Sequence, residues 1–196
     1  INLDLTLSQF GFPLDGIVVK SSPIVADLNG DGMKEIYFGS DNEALHGYNS
    51  FGEEIDGFPF QSTDRVRSSA AVGDVDNDGQ MEIVFGNSSG KLYIVNKYGS
   101  RELAYTLLGF VEGAPALVDV DGDQDLEIVF TTTTTSGGQL YAIHHNGITM
   151  SGFPKELGSM WTGPAVHDID NDGVHDIICT TYDKEIYAID VNGGVI

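Results

Sequence analysis

The sequence predicts an all-β fold, a β-propeller built from four blades of four antiparallel strands. Three observations predict it. An acidic motif recurs four times at near-constant spacing, β-type segments flank each copy at matching offsets, and helical periodicity is absent from all 196 residues.

The motif reads DLNGDGMKEI from Asp27, DVDNDGQMEI from Asp74, DVDGDQDLEI from Asp119 and DIDNDGVHDI from Asp168, at spacings of 47, 45 and 49 residues. A first strand is expected in the segments just upstream, SSPIVA, SSAAVG, GAPALV and TGPAVH. The runs EIYFG, EIVFG, EIVFT and DIICT follow each motif and are continuously apolar, as a strand covered on both faces requires. Third segments, from ALHGYNSFG to EIYAIDVNG, alternate large apolar residues with small or polar ones, which fits a partly exposed strand. A fourth segment carries Gly-Phe-Pro in DGFPF and SGFPK, with LGFVE read as its weakened form in the second copy.

Four strands in a period of 45 to 49 residues is what a propeller blade requires. The expected domain is therefore 1–196, with blades near 20–60, 67–110, 112–155 and 161–196. An orphan LSQFGFPLDG stands at the N-terminus while the fourth copy ends without one, so residues 1–16 are expected to complete the last blade. Three architectures stay open: a closed ring of four blades, half of an eight-bladed dimer, and a fragment of a longer propeller. The Thr131–Thr135 run reads as an extended inter-strand loop, and Asn87-Ser88-Ser89 as a weak glycosylation signal. The lack of an initiating Met and of a leader pattern is what a mature product or an excised fragment would show.

The chain carries 30 Asp and Glu against 9 Lys and Arg, a formal net charge of −21. DNA and RNA, themselves polyanions, are therefore not expected as partners. A hydrophobic content of 41% with 25 glycines describes a globular chain able to bury a core. No apolar run approaches the roughly 20 residues of a membrane helix. The lone Cys179 excludes an internal disulfide framework and reads as a small buried hydrophobe.

Just over half of the acidic side chains stand in the four motifs, where their spacing is that of a cation loop. Oxygen ligands occupy positions 1, 3, 5 and 9, with a main-chain carbonyl at position 7. The first copy supplies Asp27, Asn29, Asp31, Met33 and Glu35, and the second Asp74, Asp76, Asp78, Gln80 and Glu82. The third supplies Asp119, Asp121, Asp123, Asp125 and Glu127, and the fourth Asp168, Asp170, Asp172, Val174 and Asp176. Alternate side chains of a tightly curled loop converge on one point, and glycine at position 6 permits the sharp turn. Ligation by oxygen alone selects Ca²⁺ over zinc or copper, up to one ion per blade.

An EF-hand would need a bidentate Glu at position 12, where Phe38, Phe85, Phe130 and Cys179 stand instead. Asp, Asn and Gly also make plain turns, but four copies in register argue for ligation. Asn29 lowers the charge of the first loop. Gln124 replaces the turn glycine of the third, which is expected to be the most distorted, with Asp125 adding charge beside it.

The four loops, Phe38-Gly39, Phe85-Gly86, Gly113-Ala114-Pro115 and Gly163-Pro164 make the chain resemble the FG-GAP/VCBS repeat family, which includes the integrin α-subunit propellers. The resemblance implies a β-propeller with calcium in the loop joining the first two strands of each blade. It also implies an extracellular or cell-surface setting and a role in adhesion or recognition. Gln124, the missing Phe-Gly of the third and fourth copies, and a blade count below seven depart from the family pattern.

Seven residues before each loop stand Lys20, Arg67, Glu112 and Trp161, which the repeat places around one mouth of the channel, opposite the calcium loops. Dissimilar residues on a repeated scaffold suit a ligand rim, although solvated loop ends look the same. Trp161 reads as a stacking platform or as a cap on the core. His46 takes the place of Tyr93, Tyr141 and Tyr187 and reads as a packing variant, while the adjacent His144 and His145 are expected to face opposite sides of a strand.

No nucleophile–base pair, phosphate loop or zinc spacing is found, and the close acids fit ligands better than general acid and base. The expectation is a non-enzymatic, calcium-binding extracellular module for recognition, adhesion or scaffolding, with a protein or carbohydrate ligand. A calcium-dependent lectin is the alternative. A fragment of a polysaccharide lyase-like enzyme is a third reading, disfavoured by the shortage of basic residues.

Overall fold

The structure, a computed structural model, describes residues 11, 12 and 14–196. Among these residues every regular element is a β-strand, and the strands form four antiparallel sheets. The first holds β1 (Ile24–Ala26), β2 (Glu35–Gly39), β3 (Ala44–Tyr48) and β4 (Phe60–Gln61). The second holds β5 (Ala71–Gly73), β6 (Glu82–Gly86), β7 (Lys91–Asn96) and β8 (Arg101–Thr106). The third holds β9 (Ala116–Val118), β10 (Glu127–Thr134), β11 (Gly137–Ile143) and β12 (Lys155–Leu157). The fourth holds β13 (Ala165–His167), β14 (Asp176–Thr180) and β15 (Ile186–Asp190). Strands adjacent in sequence pair within each sheet, so every blade is a simple meander. The segment expected to complete the fourth sheet lies mostly outside the described residues.

Burial follows from stacking. Both middle sheets are covered on two faces, so β6 is buried at every residue and β10 at all but its last. In the first sheet, β2 alternates buried and half-buried positions. Three apolar seams join neighbours. Tyr37, Leu45 and Phe58 meet Ile83, Phe85 and Val95; Val84, Leu92 and Ile94 meet Ile128, Phe130 and Ile143; Val129, Leu140 and Ala142 meet Ile177, Cys179 and Ile189. The first strands β5, β9 and β13 lie side by side; no comparable packing joins β13 to β1 among the described residues.

The repeat keeps its cross-strand register. Phe38 pairs with His46, Phe85 with Tyr93, Phe130 with Tyr141 and Cys179 with Tyr187. The rings of Phe85 and Tyr93 stack at 5.3 Å, and those of Phe130 and Tyr141 at 5.1 Å. His46 fills the tyrosine position in the first sheet, buried and stacked on Phe38 at 5.4 Å. Cys179 is likewise buried, and desolvation pushes its thiol up to about 11.

Three local expectations are corrected. Thr131 to Thr134 are not a loop but the end of β10, paired with β11 down to a two-residue turn. Threonine is β-branched and suits a strand. Its hydroxyls find partners here, Thr131 Oγ1 donating to the Thr162 carbonyl at 2.9 Å and Thr133 Oγ1 to that of Met160. Second, LGFVE is not the outer strand of its blade. That strand is β8, six residues running directly from the hairpin, and Phe110 pairs instead with Thr133 of the next sheet. Third, Asn87 is fully buried and cannot present a glycan. Its Oδ1 accepts from the Ser89 and Lys91 main-chain N–H groups, and its Nδ2 donates to Ser62 and Thr63 hydroxyls.

Candidate metal loops and rim pocket

Each acidic loop links the first and second strands of its sheet and folds by one repeated hydrogen-bond scheme. At position 1, Asp27, Asp74, Asp119 and Asp168 each turn an oxygen to the main-chain N–H of position 6, at 2.9, 2.9, 3.2 and 3.0 Å. At position 3, Asn29, Asp76, Asp121 and Asp170 accept from the N–H of position 5. At position 5, Asp31, Asp78, Asp123 and Asp172 accept from the N–H of Met33, Gln80, Asp125 and Val174. These bonds curl the backbone and leave the remaining oxygen lone pairs directed elsewhere.

Position 9 differs in being buried. Glu35, Glu82, Glu127 and Asp176 are at most 3% exposed. One oxygen of each accepts a single main-chain N–H, from Leu28, Val75, Val120 and Ile169. Desolvation raises the pKa of Glu35 and Glu127, and that of Glu82 to about 7. A buried carboxylate with so few donors is costly unless a cation joins it.

The residues fit a divalent ion. Ligand atoms of Asp74, Asp76 and Asp78 lie within 4.8 Å of one another, as do those of Asp119, Asp121 and Asp123, and of Asp168, Asp170 and Asp176. In the first loop the Asn29 amide donates to Asp31 at 3.1 Å, so an amide replaces one charge. A bound Ca²⁺ would supply the missing positive charge and tie the two strands of each hairpin together.

The third loop is the loosest of the four, as expected, its shared bonds the longest at 3.2, 3.3 and 3.1 Å. Gln124 itself nevertheless keeps the backbone of the turn. Its φ of 82° matches the 88°, 88° and 90° of Gly32, Gly79 and Gly173. A Cβ built on any of those three glycines meets nothing within 4 Å. Position 6 therefore demands left-handed backbone rather than empty space, and a side chain there costs about 1–2 kcal/mol.

The two adjacent histidines are corrected as well. β11 ends at Ile143, so strand alternation no longer applies at His144 and His145. Both reach acids of the third loop: His144 Nδ1 lies 3.0 Å from Glu127 Oε1, and His145 Nδ1 lies 2.7 Å from Asp125 Oδ2.

At the other end of the first strands, three of the four candidate rim residues come together. Arg67, Glu112 and Trp161 line one concavity of about 330 Å³ together with Asp64, Arg65, Ser88 and Phe110. Lys20 stands one step away, joined through Asp41, which it approaches at 3.8 Å. Arg67 holds the same carboxylate by two donors at 2.7 and 3.2 Å and lowers its pKa. Glu112 accepts from the Ser88 hydroxyl at 2.9 Å. Trp161 is 50% exposed and does not cap the core. Arg65 and Phe110, missed from sequence, precede Arg67 and Glu112 by two, the spacing that returns an extended chain to the same face.

No curated protein sequence matches the chain. Among solved structures, BBS1N in complex with ARL6DN superposes with a TM-score of 0.68 at 15% identity, covering 94% of this chain and 55% of that one. BamB from Moraxella catarrhalis gives 0.59 at 19% identity, covering 92% and 51%. The Vibrio cholerae biofilm matrix protein Bap1 gives 0.51 at 18% identity, covering 96% and 40%. The chain thus spans about half the length of its structural neighbours, and the likeness is one of fold. A family model described as FG-GAP-like repeat matches residues 27–85 and 119–179, more than half of the chain. With four sheets in series and the acidic loop repeated in each, this chain belongs to the FG-GAP-like repeat family.

Proposed function

We propose that the protein is a non-enzymatic, calcium-stabilised β-propeller segment of an extracellular or cell-surface protein, serving to recognise a protein ligand. The observation that carries this reading is the pocket opposite the acidic loops, where Arg65, Arg67, Glu112 and half-exposed Trp161 converge. Aromatic and arginine side chains are the usual anchors of protein interfaces. BBS1N, similar in fold, was solved in complex with another protein. Calcium in the loops would hold the hairpins that carry the opposite rim in place.

The test is selection from a display library of extracellular proteins, in calcium and then in chelator, against the wild type and Trp161→Ala and Arg65→Ala variants. Binders that need calcium and both side chains support the reading. Binders indifferent to the rim sink it. A second reading, a calcium-dependent lectin, rests on Trp161 as a stacking surface beside polar groups. A glycan array in both conditions decides it, since only a lectin yields calcium-dependent binding to a defined sugar class.

A further inference from the structure

We infer that the third loop, completed by His144, is a mixed carboxylate–imidazole site that takes a first-row transition-metal dication in preference to calcium. The inference rests on the reading of the loops as cation sites and departs from it in the identity of one ion. Asp121, Glu127 and His144 each offer a ligand atom, and the three lie within 4.8 Å of one another. His144 Nδ1 and Glu127 Oε1 are 3.0 Å apart, and the Glu127 side chain is wholly buried. The two side chains share a hydrogen bond at this distance, and the same separation would let both atoms reach one ion at about 2.1 Å, a length typical of zinc–nitrogen and zinc–oxygen bonds. Calcium takes oxygen ligands, whereas an imidazole nitrogen suits zinc, nickel, iron or copper.

The hairpins show that the imidazole is the exception among the four copies. Asn49, Asn96 and Asp190 hold the position equivalent to His144, each closing its hairpin by the same main-chain bond. Their side-chain oxygens cap the turn, accepting from Phe51, Tyr98 and Asn192 N–H groups at 2.9, 3.0 and 2.6 Å. In the third sheet Asn146 does this work, accepting from Ile148 at 2.9 Å. His144 is thereby released from the turn and turns to Glu127.

The same loop carries the other departures. Gln124 stands at position 6, and Asp125 at position 7 brings a further carboxylate into a group with Asp123 and Glu127. Asp125 Oδ2 meets His145 Nδ1 at 2.7 Å, and Asp125 Oδ1 is buried without a hydrogen-bond partner, a spare ligand atom beside the cluster. An oxygen-only loop needs none of these changes, and they are confined to one copy.

The probe is Co²⁺, whose visible absorption reports its ligands. It would be titrated into metal-stripped protein lacking any polyhistidine tag, in millimolar calcium so that the all-oxygen loops are filled. His144→Asn restores the residue type of the other hairpins, and Asp121→Asn, on the exposed arm of the loop, serves as a second variant. The expected result is one Co²⁺ per chain, displaced by Zn²⁺ and not by calcium, with affinity about a hundredfold weaker in each variant. Cobalt binding that calcium abolishes, that neither variant weakens, or that is absent altogether overturns the inference. Calorimetry with calcium alone separates the two readings. Calcium uptake without His144-dependent cobalt binding fails this inference only, whereas cobalt binding without calcium uptake fails the calcium reading and leaves this site standing.

Discussion

Glu82 shows how much a single residue can decide. Burial, its largest cause, raises its pKa from an ordinary 4.5 to about 7 in the metal-free fold. The folded chain then holds the proton more tightly than the unfolded chain, so this contribution to stability is complete below pH 4.5 and is lost as pH rises towards 7. Thermal melts in chelator should therefore show a falling melting temperature across that window. Glu82→Gln should flatten the slope, and an unchanged slope in that variant would place the effect elsewhere. Gln124 tests a different term. Its left-handed backbone is strained for any residue with a Cβ, so Gln124→Gly should raise stability by about 1 kcal/mol in urea titration. A loss on that change would mean that the glutamine side chain makes contacts that outweigh the strain.

Between elements, the seams are set by close backbone approach as well as by apolar area. Gly57, in the Gly-Phe-Pro segment of the first sheet, faces Gly99 in the β7–β8 hairpin turn of the second, and a Cβ on either would strike a carbonyl of the other turn. Gly152 and Gly193 repeat the contact between the third and fourth sheets, and Gly11 meets Gly52 in the first sheet in the same way. The second sheet lacks a Gly-Phe-Pro segment at its outer strand, and Gly147 of the following hairpin meets Leu103 and Tyr105 side chains instead. Gly79 has the same positive φ as these glycines but open space around it. Gly79→Ala should thus cost about 1–2 kcal/mol, and Gly99→Ala about 3 kcal/mol or more. Equal costs in denaturant titration would show that the seam yields easily to a methyl group.

For the molecule as a whole, the proposed calcium binding would dominate the energetics. With calcium at ten to a hundred times the dissociation constant, each filled loop contributes about 1.4–2.7 kcal/mol. Removing it from several loops should lower the melting temperature by on the order of 10 °C. Chelation without effect would reduce the loops to turns. Their position matters to this outcome, since each loop joins the first strand to the buried second strand of its sheet. At the end of the row, strand alternation turns Ile178, Ile186 and Ala188 of the fourth sheet away from the third, and Ile186 is 76% exposed.

The sequence by itself determined the strand content, the four-fold repeat, the acidic loops and the three candidate rim residues that share a pocket. These features rest on period-two alternation and on short-range spacing, which survive in one dimension. Tertiary structure alone decided the rest. Thr131–Thr134 became strand because Gly137–Leu140 pairs with them and Met160 and Thr162 accept their hydroxyls. Asn87 became a buried hub because Ser62 and Thr63 arrive from a preceding turn. His144 and His145 reached the third loop because β11 stops one residue earlier and returns its end beside β10. Each outcome depends on partners distant along the chain, and composition or periodicity cannot specify which of them meet.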